Sequence, residues 1–299
     1  MITEQVRIIL FFLAIISFAQ SPSLAKLSAA PPELISFWRL TLASLAMALI
    51  GHFRGEGSTH FKALRSKAGV YALLSGLFFW IHLWCFQFAA QNTSVANVMI
   101  LFSTNPIFTG LISVGLFKEK FEKRLIPVYL LAMLGIYILV SHNLHLDSAN
   151  TPGDLAALAS SFLFSFYILF GHQARKTVSN TTYTYFIYAV AGTCFFFTTY
   201  FRGVDFIHYP SITWISIVGL VLIPTLMGHA LFTYLLRFIN VNWLSMGKLA
   251  EPVIASFTAY LLFSETWNRT TLLAFACTLL SLLLLIQPWK HIQGRRTTS

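Results

Sequence analysis

The chain is dominated by apolar runs that are long enough to cross a lipid bilayer. A spanning helix needs about 20 predominantly apolar residues, and ten runs of about that length follow one another. Hydrophobic residues make up 57% of the 299 residues and charged residues 10%, whereas soluble domains carry about 25% charged residues. We therefore predict an integral membrane protein. The ten runs cover about Val6–Leu24, Leu34–Phe53, Ala68–Ala90, Val95–Phe117, Leu125–Val140, Leu155–Gly171, Tyr183–Tyr200, Ile212–Leu236, Val241–Phe263 and Thr271–Ile286.

Each run is predicted to form an α-helix, which gives an all-α integral membrane protein with ten transmembrane helices. In hydrocarbon, backbone polar groups must find partners within the segment, and the sequence lacks the alternating ten-residue strands of a membrane barrel. Residues Ile8–Ala19, followed by Ser23-Leu24-Ala25, also resemble a cleavable signal peptide. A retained first helix is favoured, because cleavage would leave nine spans and destroy the repeat described below.

The basic residues predict an orientation. The net charge of +10 would suggest nucleic-acid binding in a soluble chain, but here no nucleic-acid partner is expected. With a cytoplasmic N-terminus, fifteen of the 20 Lys and Arg residues lie on the inner side and three on the outer side, while Arg39 and Lys248 lie within spans. Cytoplasmic loops carry an excess of Lys and Arg. We therefore expect a multi-pass protein of the bacterial inner (cytoplasmic) membrane with both termini cytoplasmic.

Two runs share a pattern at an offset of 146 residues. The fourth contains Asn105-Pro106 and closes with Lys118-Glu119, and the ninth contains Glu251-Pro252 and closes with Ser264-Glu265. Each copy then has five spans, and an odd number requires the second copy to insert upside down. We predict a first repeat at 1–146, a second, inverted repeat at 147–292 and a short cytoplasmic tail at 293–299. Inverted repeats are typical of secondary transporters and place the substrate near the midplane.

The chain resembles the EamA-type members of the drug/metabolite transporter superfamily over its whole length. The resemblance implies ten helices in two halves and a metabolite carrier, with export favoured. The first helix differs, because it has Ser17-Phe18-Ala19-Gln20 where members often have a Trp-Gly pair. The residues that carry the resemblance are Pro31–Arg39, Asn105-Pro106, Lys118-Glu119-Lys120, Glu251-Pro252 and Phe263-Ser264-Glu265.

Charged side chains inside the spans are the first candidates for the substrate cavity, because a charge in the membrane core costs about 2.5 kcal/mol or more. Arg39, Lys248 and Glu251 meet this condition. Arg39 is close enough to the boundary to snorkel towards water. Lys248 and Glu251 are three residues apart, so they can pair with each other, line the substrate path, or do both.

Uncharged candidates follow the same logic. Asn97, Thr104 and Asn105 lie on one face of the fourth run, where they either line a cavity or form hydrogen bonds between helices. His82 and His229 are candidate proton carriers or structural histidines. Most aromatic residues are expected to face lipid or the interface, and the candidates for cavity walls include Trp84 and Tyr234.

Three prolines are candidate hinges. Pro106, Pro224 and Pro252 lack the N–H that a helix interior requires, so each leaves one carbonyl without its helical donor. Such a carbonyl is either a ligand beside a cavity or the acceptor of a neighbouring Ser or Thr hydroxyl at a packing kink. The carbonyls concerned are those of Phe102, Leu220 and Lys248.

These features predict a secondary transporter of a small polar or amphipathic metabolite, amino acid-like by preference, that works by alternating access as an exporter or exchanger. The sequence has no GxxxxGK[ST] motif, so transport is expected to use the substrate gradient, exchange or coupling protons. The expected partners are the substrate and the bilayer, and the oligomeric state is a monomer or homodimer. The alternative is an intramembrane enzyme or a lipid-handling protein, which the lack of HExxH and GxSxG motifs disfavours.

No cofactor, catalytic residue or metal is expected. The three cysteines lie in apolar runs without a partner at short spacing, which argues against a disulfide framework or a CxxC metal site. His142, His145 and Asp147 have a spacing compatible with zinc, but three ligands on one loop are a weak signal. The cysteines are Cys85, Cys194 and Cys277.

Overall fold

The computed structural model describes residues 4–56, 65–118, 123–143 and 150–296. Within these ranges the chain is helical and has no strand. A π-helix covers Val221–His229, and 3-10 turns cover Lys123–Leu125 and Lys248–Ala250. The α-helices are α1 (Glu4–Ala19), α2 (Ser21–Leu27), α3 (Pro32–Phe53), α4 (Lys67–Asn92), α5 (Val95–Phe102), α6 (Asn105–Phe117), α7 (Ile126–Asn143), α8 (Thr151–Arg175), α9 (Asn180–Phe201), α10 (Ser211–Leu220), α11 (Ala230–Leu235), α12 (Val241–Gly247), α13 (Glu251–Phe263) and α14 (Arg269–Arg296).

Seven helical segments of the described chain are long and apolar enough to span a membrane. The prediction of a helical, multi-pass protein is therefore confirmed, whereas the number of ten spans and the inverted topology stay predictions. The apolar parts of α7 and α14 are shorter, and the segment from α12 to α13 contains two charged residues. The seven segments are Gln5–Leu27, Pro32–Phe53, Lys67–Asn92, Val95–Phe117, Thr151–Arg175, Asn180–Phe201 and Ser211–Leu235.

Small residues allow the helices to pack closely. α4 packs along α8, α3 along α9, and α7 along α14. Gly76 of α4 lies directly against Val190 of α9, where an added Cβ would be 3.0 Å from the Val190 Cβ. A Cβ added to Gly228 of the π-helix would lie 3.3 Å from the ring of Phe18 in α1. Close backbone approach of this kind stabilises helix contacts in lipid, where the hydrophobic effect contributes little.

The bundle has two chemically different ends. At one end, which we call the Arg175 face, Arg7 lies over the ring of Phe238 at 4.7 Å, and Arg54 lies 3.4 Å from Thr181 Oγ1. Arg175 itself ends α8 at this face. The opposite end, the Glu33 face, contains fewer basic residues and includes the ends of α2, α4 and α9 and the starts of α3 and α8. Its residues include Lys26, Glu33, Asn92, Asp154, Arg202 and Glu265.

Two spans are broken at equivalent positions. A break at Ser103–Thr104 separates α5 from α6, and the 3-10 turn at Lys248–Ala250 separates α12 from α13. α6 and α13 are then capped by Lys118 and Ser264, whose φ angles are 53° and 55°. In the described chain no other non-glycine residue has a positive φ. The breaks and the left-handed caps therefore recur at the offset of 146 residues found in the sequence.

The two broken spans run in opposite directions. Asn242, near the start of α12, lies 3.3 Å from the Ser113 hydroxyl near the end of α6. At the other end, the backbone N–H of Val95 in α5 points to Glu265 Oε1 at 3.5 Å, just beyond the end of α13. The start of each span therefore lies beside the end of the other. Glu119, the expected equivalent of Glu265, lies outside the described residues.

The prolines do not sit where a continuous helix would place them. Pro106 and Pro252 lie in the first turn of α6 and α13, where a missing N–H removes no helical hydrogen bond. The prediction of a mid-helix proline at these two sites is wrong, because the helix is interrupted immediately before the turn that contains each proline. Pro224 does lie inside a helix, within the π-helical segment.

The three carbonyls associated with the prolines all accept hydrogen bonds from the protein. Ser161 Oγ donates to the Phe102 carbonyl at 3.0 Å, and Thr225 Oγ1 donates to the Leu220 carbonyl at 2.6 Å. The Lys248 carbonyl accepts from the backbone N–H of Glu251. In this conformation the prolines therefore mark satisfied helix interruptions rather than open ligand positions.

Candidate functional site

Lys248 and Glu251 form a buried ion pair at the break between α12 and α13. Lys248 begins the 3-10 turn and Glu251 begins α13. The Lys248 Nζ lies 2.5 Å from the Glu251 Oε1, and the two side chains are 4% and 3% exposed. Removing two charges from water is costly unless they are well paired. Pairing therefore offsets part of the desolvation cost of the two charges, a cost that two apolar side chains would not have. Charged groups that are kept inside a membrane despite this cost are typically functional.

Four phenylalanine rings surround the ammonium group of Lys248, and we call them the aromatic cage. The Nζ lies 3.7 Å from the ring centroid of Phe18 and 4.9 Å from that of Phe164. The corresponding distances are 5.3 Å for Phe102 and 5.4 Å for Phe232. An aromatic face attracts a cation within about 6 Å, most strongly where water is excluded. The rings come from α1, α5, α8 and α11, so four separate helices must assemble before the cage exists.

Two histidines line the same cavity as the ion pair. The Nδ1 of His82 lies 2.8 Å from the Ser160 hydroxyl, and the Nδ1 of His229 lies 3.4 Å from the Tyr167 hydroxyl. Both imidazoles are therefore anchored to α8. Although the repeat offset misaligns them by one residue, the structure brings them to one place.

Arg39 is fully buried and does not snorkel. Its Nε donates to Thr225 Oγ1 at 2.7 Å, and its Nη1 lies 3.5 Å from Ser21 Oγ, a residue that lines the central cavity. Its Nη2 has no hydrogen-bond partner, and no carboxylate of the described residues lies within ion-pair distance. Thr225 belongs to the π-helix, and such local widening of a helix is frequent at functional sites.

The central cavity is nearly closed. Its volume is about 20 Å³, which is room for about one water molecule. Phe18, Phe86 and Phe164 contribute apolar wall, and an amino acid-sized solute does not fit without movement of the helices. The polar lining consists of Ser21, His82, His229, Lys248 and Glu251.

Close contacts seal the bundle between this cavity and the Arg175 face. The ring of Phe11 occupies the space beside the Cα of Gly247, which joins α1 to α12. Arg175 Nε donates to the Thr233 carbonyl at 3.1 Å, and its Nη1 donates to the Val178 carbonyl. The first of these hydrogen bonds ties α8 to α11 on this side of the cavity.

A larger funnel opens at the Glu33 face, with a volume of about 580 Å³. Glu33 lies in the wall of this funnel. Its Oε1 is 3.3 Å from the Arg202 Nε, and its Oε2 accepts a hydrogen bond from the Trp84 Nε1 at 3.3 Å. Lys26 also lines the funnel and pairs with Glu265 at 2.5 Å. The structure therefore places Trp84 in this funnel rather than in the central cavity.

The predicted polar stripe lies in a helix contact. Asn105 Nδ2 donates to the Ser165 hydroxyl at 2.8 Å, and the Thr104 hydroxyl lies 2.8 Å from that of Ser161. Asn97, nearer the Glu33 face, lies 3.3 Å from Asp154. These bonds connect the broken span of α5 and α6 to α8, and none of the three stripe residues lines the central cavity.

The sequence reasoning missed most of the cavity wall. Tyr234 is partly buried and packs against Phe238, away from the cavity. The phenylalanines of the cage carried no signal among 29 Phe residues. Thr225, which holds Arg39, could have been suspected only from its position next to Pro224. In the described part of the chain, no group of three His, Cys, Asp or Glu side chains could hold a metal, and His145 and Asp147 lie outside that part.

Comparison with known proteins supports a transport protein. An uncharacterized transporter of Archaeoglobus fulgidus is 24% identical over 196 residues, which cover 66% of this chain and 68% of the relative. The uncharacterized transporter YdfC of Bacillus subtilis is 22% identical over 251 residues, 83% of this chain and 80% of the relative. A solved crystal structure superimposes with a TM-score of 0.73 over 94% of this chain and 97% of that one at 18% identity, so the two share a fold.

The family assignment rests on both halves of the chain. The sequence profile of the EamA-like transporter family matches residues 5–141 and 151–287. The second match begins and ends 146 residues after the first, at the same offset as the helix breaks. The resemblance drawn from the sequence is therefore confirmed: the protein belongs to the EamA-like transporter family of the drug/metabolite transporter superfamily and is a multi-pass membrane transporter.

Proposed function

We propose that the protein is a secondary transporter that moves a small zwitterionic, amino acid-like metabolite across the bacterial inner membrane by alternating access. The observation that carries the proposal is the buried pair of Lys248 and Glu251 inside an aromatic cage. A ligand that carries both a positive and a negative charge can separate the pair and provide each of the two side chains with a new partner of opposite charge. Its carboxylate would bind Lys248, and its ammonium group would bind Glu251 and the ring faces of the cage.

Charge balance favours a zwitterion over a simple ion. Lys248 and Glu251 are neutral as a pair, so inserting a neutral zwitterion between them leaves no unpaired charge in the low-dielectric interior. A lone anion or cation would leave one of them without a partner, which costs about 3–5 kcal/mol at a buried site. The aromatic rings also favour a solute with an apolar side chain, which agrees with an amphipathic metabolite.

The two sides of the cavity support alternating access. The cavity holds about one water molecule, Phe11 and Gly247 close the path to the Arg175 face, and a funnel reaches inwards from the Glu33 face. Two broken helices of opposite direction meet at the site. Inverted repeats of this kind supply two packings of similar free energy that open to opposite sides.

The distribution of basic residues supports a cytoplasmic Arg175 face with both termini on that side. Export would then carry the solute from the Arg175 face, through the central cavity, to the Glu33 funnel. The chain has no ATP-binding signature of the P-loop type. The energy source is therefore the solute gradient, exchange or proton coupling, with His82 and His229 as the titratable neighbours of the ion pair.

Counterflow in proteoliposomes tests this function. Vesicles loaded with unlabelled amino acids should accumulate a labelled neutral amino acid, and the recovered solute should be chemically unchanged. Matched acids without the amine and amines without the carboxylate should exchange poorly. A chemically altered product would favour the alternative of an intramembrane enzyme, and equal exchange of zwitterions and matched simple ions would refute the proposed recognition.

Variants identify the site in the same assay. Lys248→Met and Glu251→Gln should each abolish counterflow. Asp205→Asn is a matched control, since Asp205 lies on an exposed loop where hydrogen bonds from the Ile207 N–H and from His208 lower the pKa of its carboxyl to about 2. The control removes one negative charge far from the cavity, and it should transport like the unmodified protein.

A further inference from the structure

Several buried polar atoms without partners belong to residues of α3 and α4 between the Glu33 funnel and the central cavity. Among the described residues, the Ser36 Oγ, the Arg39 Nη2 and both amide atoms of Gln87 have no hydrogen-bond partner. Beside them, the Glu33 Oε1 accepts no hydrogen bond but forms an ion pair with the Arg202 Nε at 3.3 Å. All four side chains are fully buried. We call these four residues the polar track. Native proteins leave few such atoms unsatisfied, and each requires an explanation.

On α3 the track runs from the funnel towards the central cavity. Glu33, Ser36 and Arg39 are spaced three residues apart, which places them along one side of the helix over about 9 Å of rise. Glu33 lines the funnel. Arg39 contacts Ser21, which lines the central cavity. The buried polar side chains of α3 therefore extend from the funnel, where Glu33 is paired with Arg202, to Arg39 beside the central cavity, and the Ser36 Oγ and Arg39 Nη2 are without hydrogen-bond partners.

Gln87 occupies the matching position on α4. Leu83 lines the central cavity and Gln91 lines the funnel, and Gln87 lies halfway between them at intervals of four residues. This side of α4 faces the start of α3, because Gln91 donates to the Ala30 carbonyl at 2.8 Å and Trp84 donates to Glu33. Gln87 is thus the polar residue of α4 on the route between the cavities.

The chemistry of the track matches a zwitterion. Arg39 Nη2 and Gln87 Nε2 are donors suited to a carboxylate, and Glu33 Oε1 and Gln87 Oε1 are acceptors suited to an ammonium group. In a membrane interior, no bulk water compensates these atoms while the path is closed. A solute or a file of water that passes along α3 and α4 would satisfy them in turn.

We propose that Arg39 and Gln87 form a transit site for the carboxylate of a zwitterionic solute, on a polar track that leads from the central cavity to the Glu33 funnel. This inference rests on the proposed transport function. It adds a second binding position, separate from the pair of Lys248 and Glu251. It also predicts that the release route lies between α3 and α4, with Glu33 receiving the ammonium group at the funnel.

Gln87→Leu tests the transit site because stability and transport should respond in opposite directions. The change removes two unsatisfied polar atoms at similar volume, so the thermal midpoint should stay equal or rise. Counterflow of a labelled neutral amino acid mixture should nevertheless fall by about tenfold or more. Thr199→Val is the matched control, since Thr199 is also buried with an unpartnered hydroxyl but lines neither cavity. Unchanged counterflow in Gln87→Leu would overturn the proposal.

Cysteine labelling tests the track without any solute. In a background that lacks Cys85, Cys194 and Cys277, Gln87→Cys and Ser36→Cys should react with a charged, membrane-impermeant methanethiosulfonate reagent added at the Glu33 face. Thr199→Cys should not react. If the unmodified protein exchanges no amino acid but both track positions are labelled, the proposed substrate fails while the polar track stands. If neither position is labelled, the track is refuted whatever the protein transports.

Discussion

The ring of Phe11 fills the space directly beside the Cα of Gly247, so that a Cβ at this position would overlap the ring. This contact joins α1 to α12 immediately next to Lys248. It contributes to the seal between the central cavity and the Arg175 face. A glycine is required here because every other side chain would displace the ring.

Gly247→Ala is therefore expected to open the cavity towards the Arg175 face. Overpacking of this kind costs about 1–3 kcal/mol, and here the cost falls on the closed form. A cysteine at Leu83, in the cavity wall, should become more reactive from the Arg175 face. Gly115→Ala is the control, since an added Cβ at Gly115 meets nothing within 4 Å. Equal reactivity in the two variants would show that this contact does not gate the cavity.

The buried ion pair predicts an asymmetry between single and double substitutions. Glu251→Gln leaves the Lys248 ammonium without its counter-charge and should destabilise the protein by about 3–5 kcal/mol. The double variant Lys248→Met with Glu251→Met should recover most of that loss, because an apolar pair of similar volume needs no compensation. Both proteins should lose transport. Thermal unfolding in detergent measures the stability of both variants. A double variant that is no more stable than Glu251→Gln would contradict the expected recovery.

Thr225 is expected to act through Arg39. Its hydroxyl bonds both the Arg39 Nε at 2.7 Å and the Leu220 carbonyl at 2.6 Å. Thr225→Val keeps the shape but removes both bonds, so a loss of about 1–3 kcal/mol in stability is expected, together with slower transport. Thr225→Ser should restore both properties. Failure of the serine variant to rescue would assign the effect to packing rather than to the hydroxyl.

Pro106 and Pro252 are expected to bias access in opposite directions. Because both lie in first helical turns, replacement by alanine should cost little stability, and Pro106→Ala and Pro252→Ala should fold and insert. Alanine removes the fixed φ of proline, and the two spans run in opposite directions, so a more flexible break should favour opening to one face in one variant and to the other face in the second. Cavity cysteines labelled from each side measure the bias. Identical labelling with normal transport would reduce both prolines to packing residues.

The inverted topology predicts that equivalent loops lie on opposite sides of the membrane. Lys123 follows the fourth predicted span and Asn268 follows the ninth. Single cysteines at these positions, in a background without native cysteines, should react with an impermeant reagent from opposite sides. Labelling of both from the same side would end the argument for an inverted repeat.

The sequence by itself determined the membrane class, the helical content and the repeat. Long apolar runs can satisfy their backbone in lipid only as helices, and the offset of 146 residues identified Pro106 and Pro252 as an equivalent pair. Charge inside a span is costly, so Arg39, Lys248 and Glu251 were recognisable as candidates without coordinates. Each of these conclusions depends on properties that a segment's own residues determine, such as its length, its hydrophobicity and its charges.

Only the tertiary structure decided which polar residues meet. It brought His82 and His229 to Lys248, turned Asn105 towards α8, and placed Trp84 in the funnel. In a soluble protein an amphipathic pattern would report such orientation, but in lipid the outer and inner faces of a helix are both apolar. The rotation of each helix is fixed instead by packing against its neighbours, through contacts as local as Phe11 on Gly247. That information is shared between helices distant in sequence, and no single segment contains it.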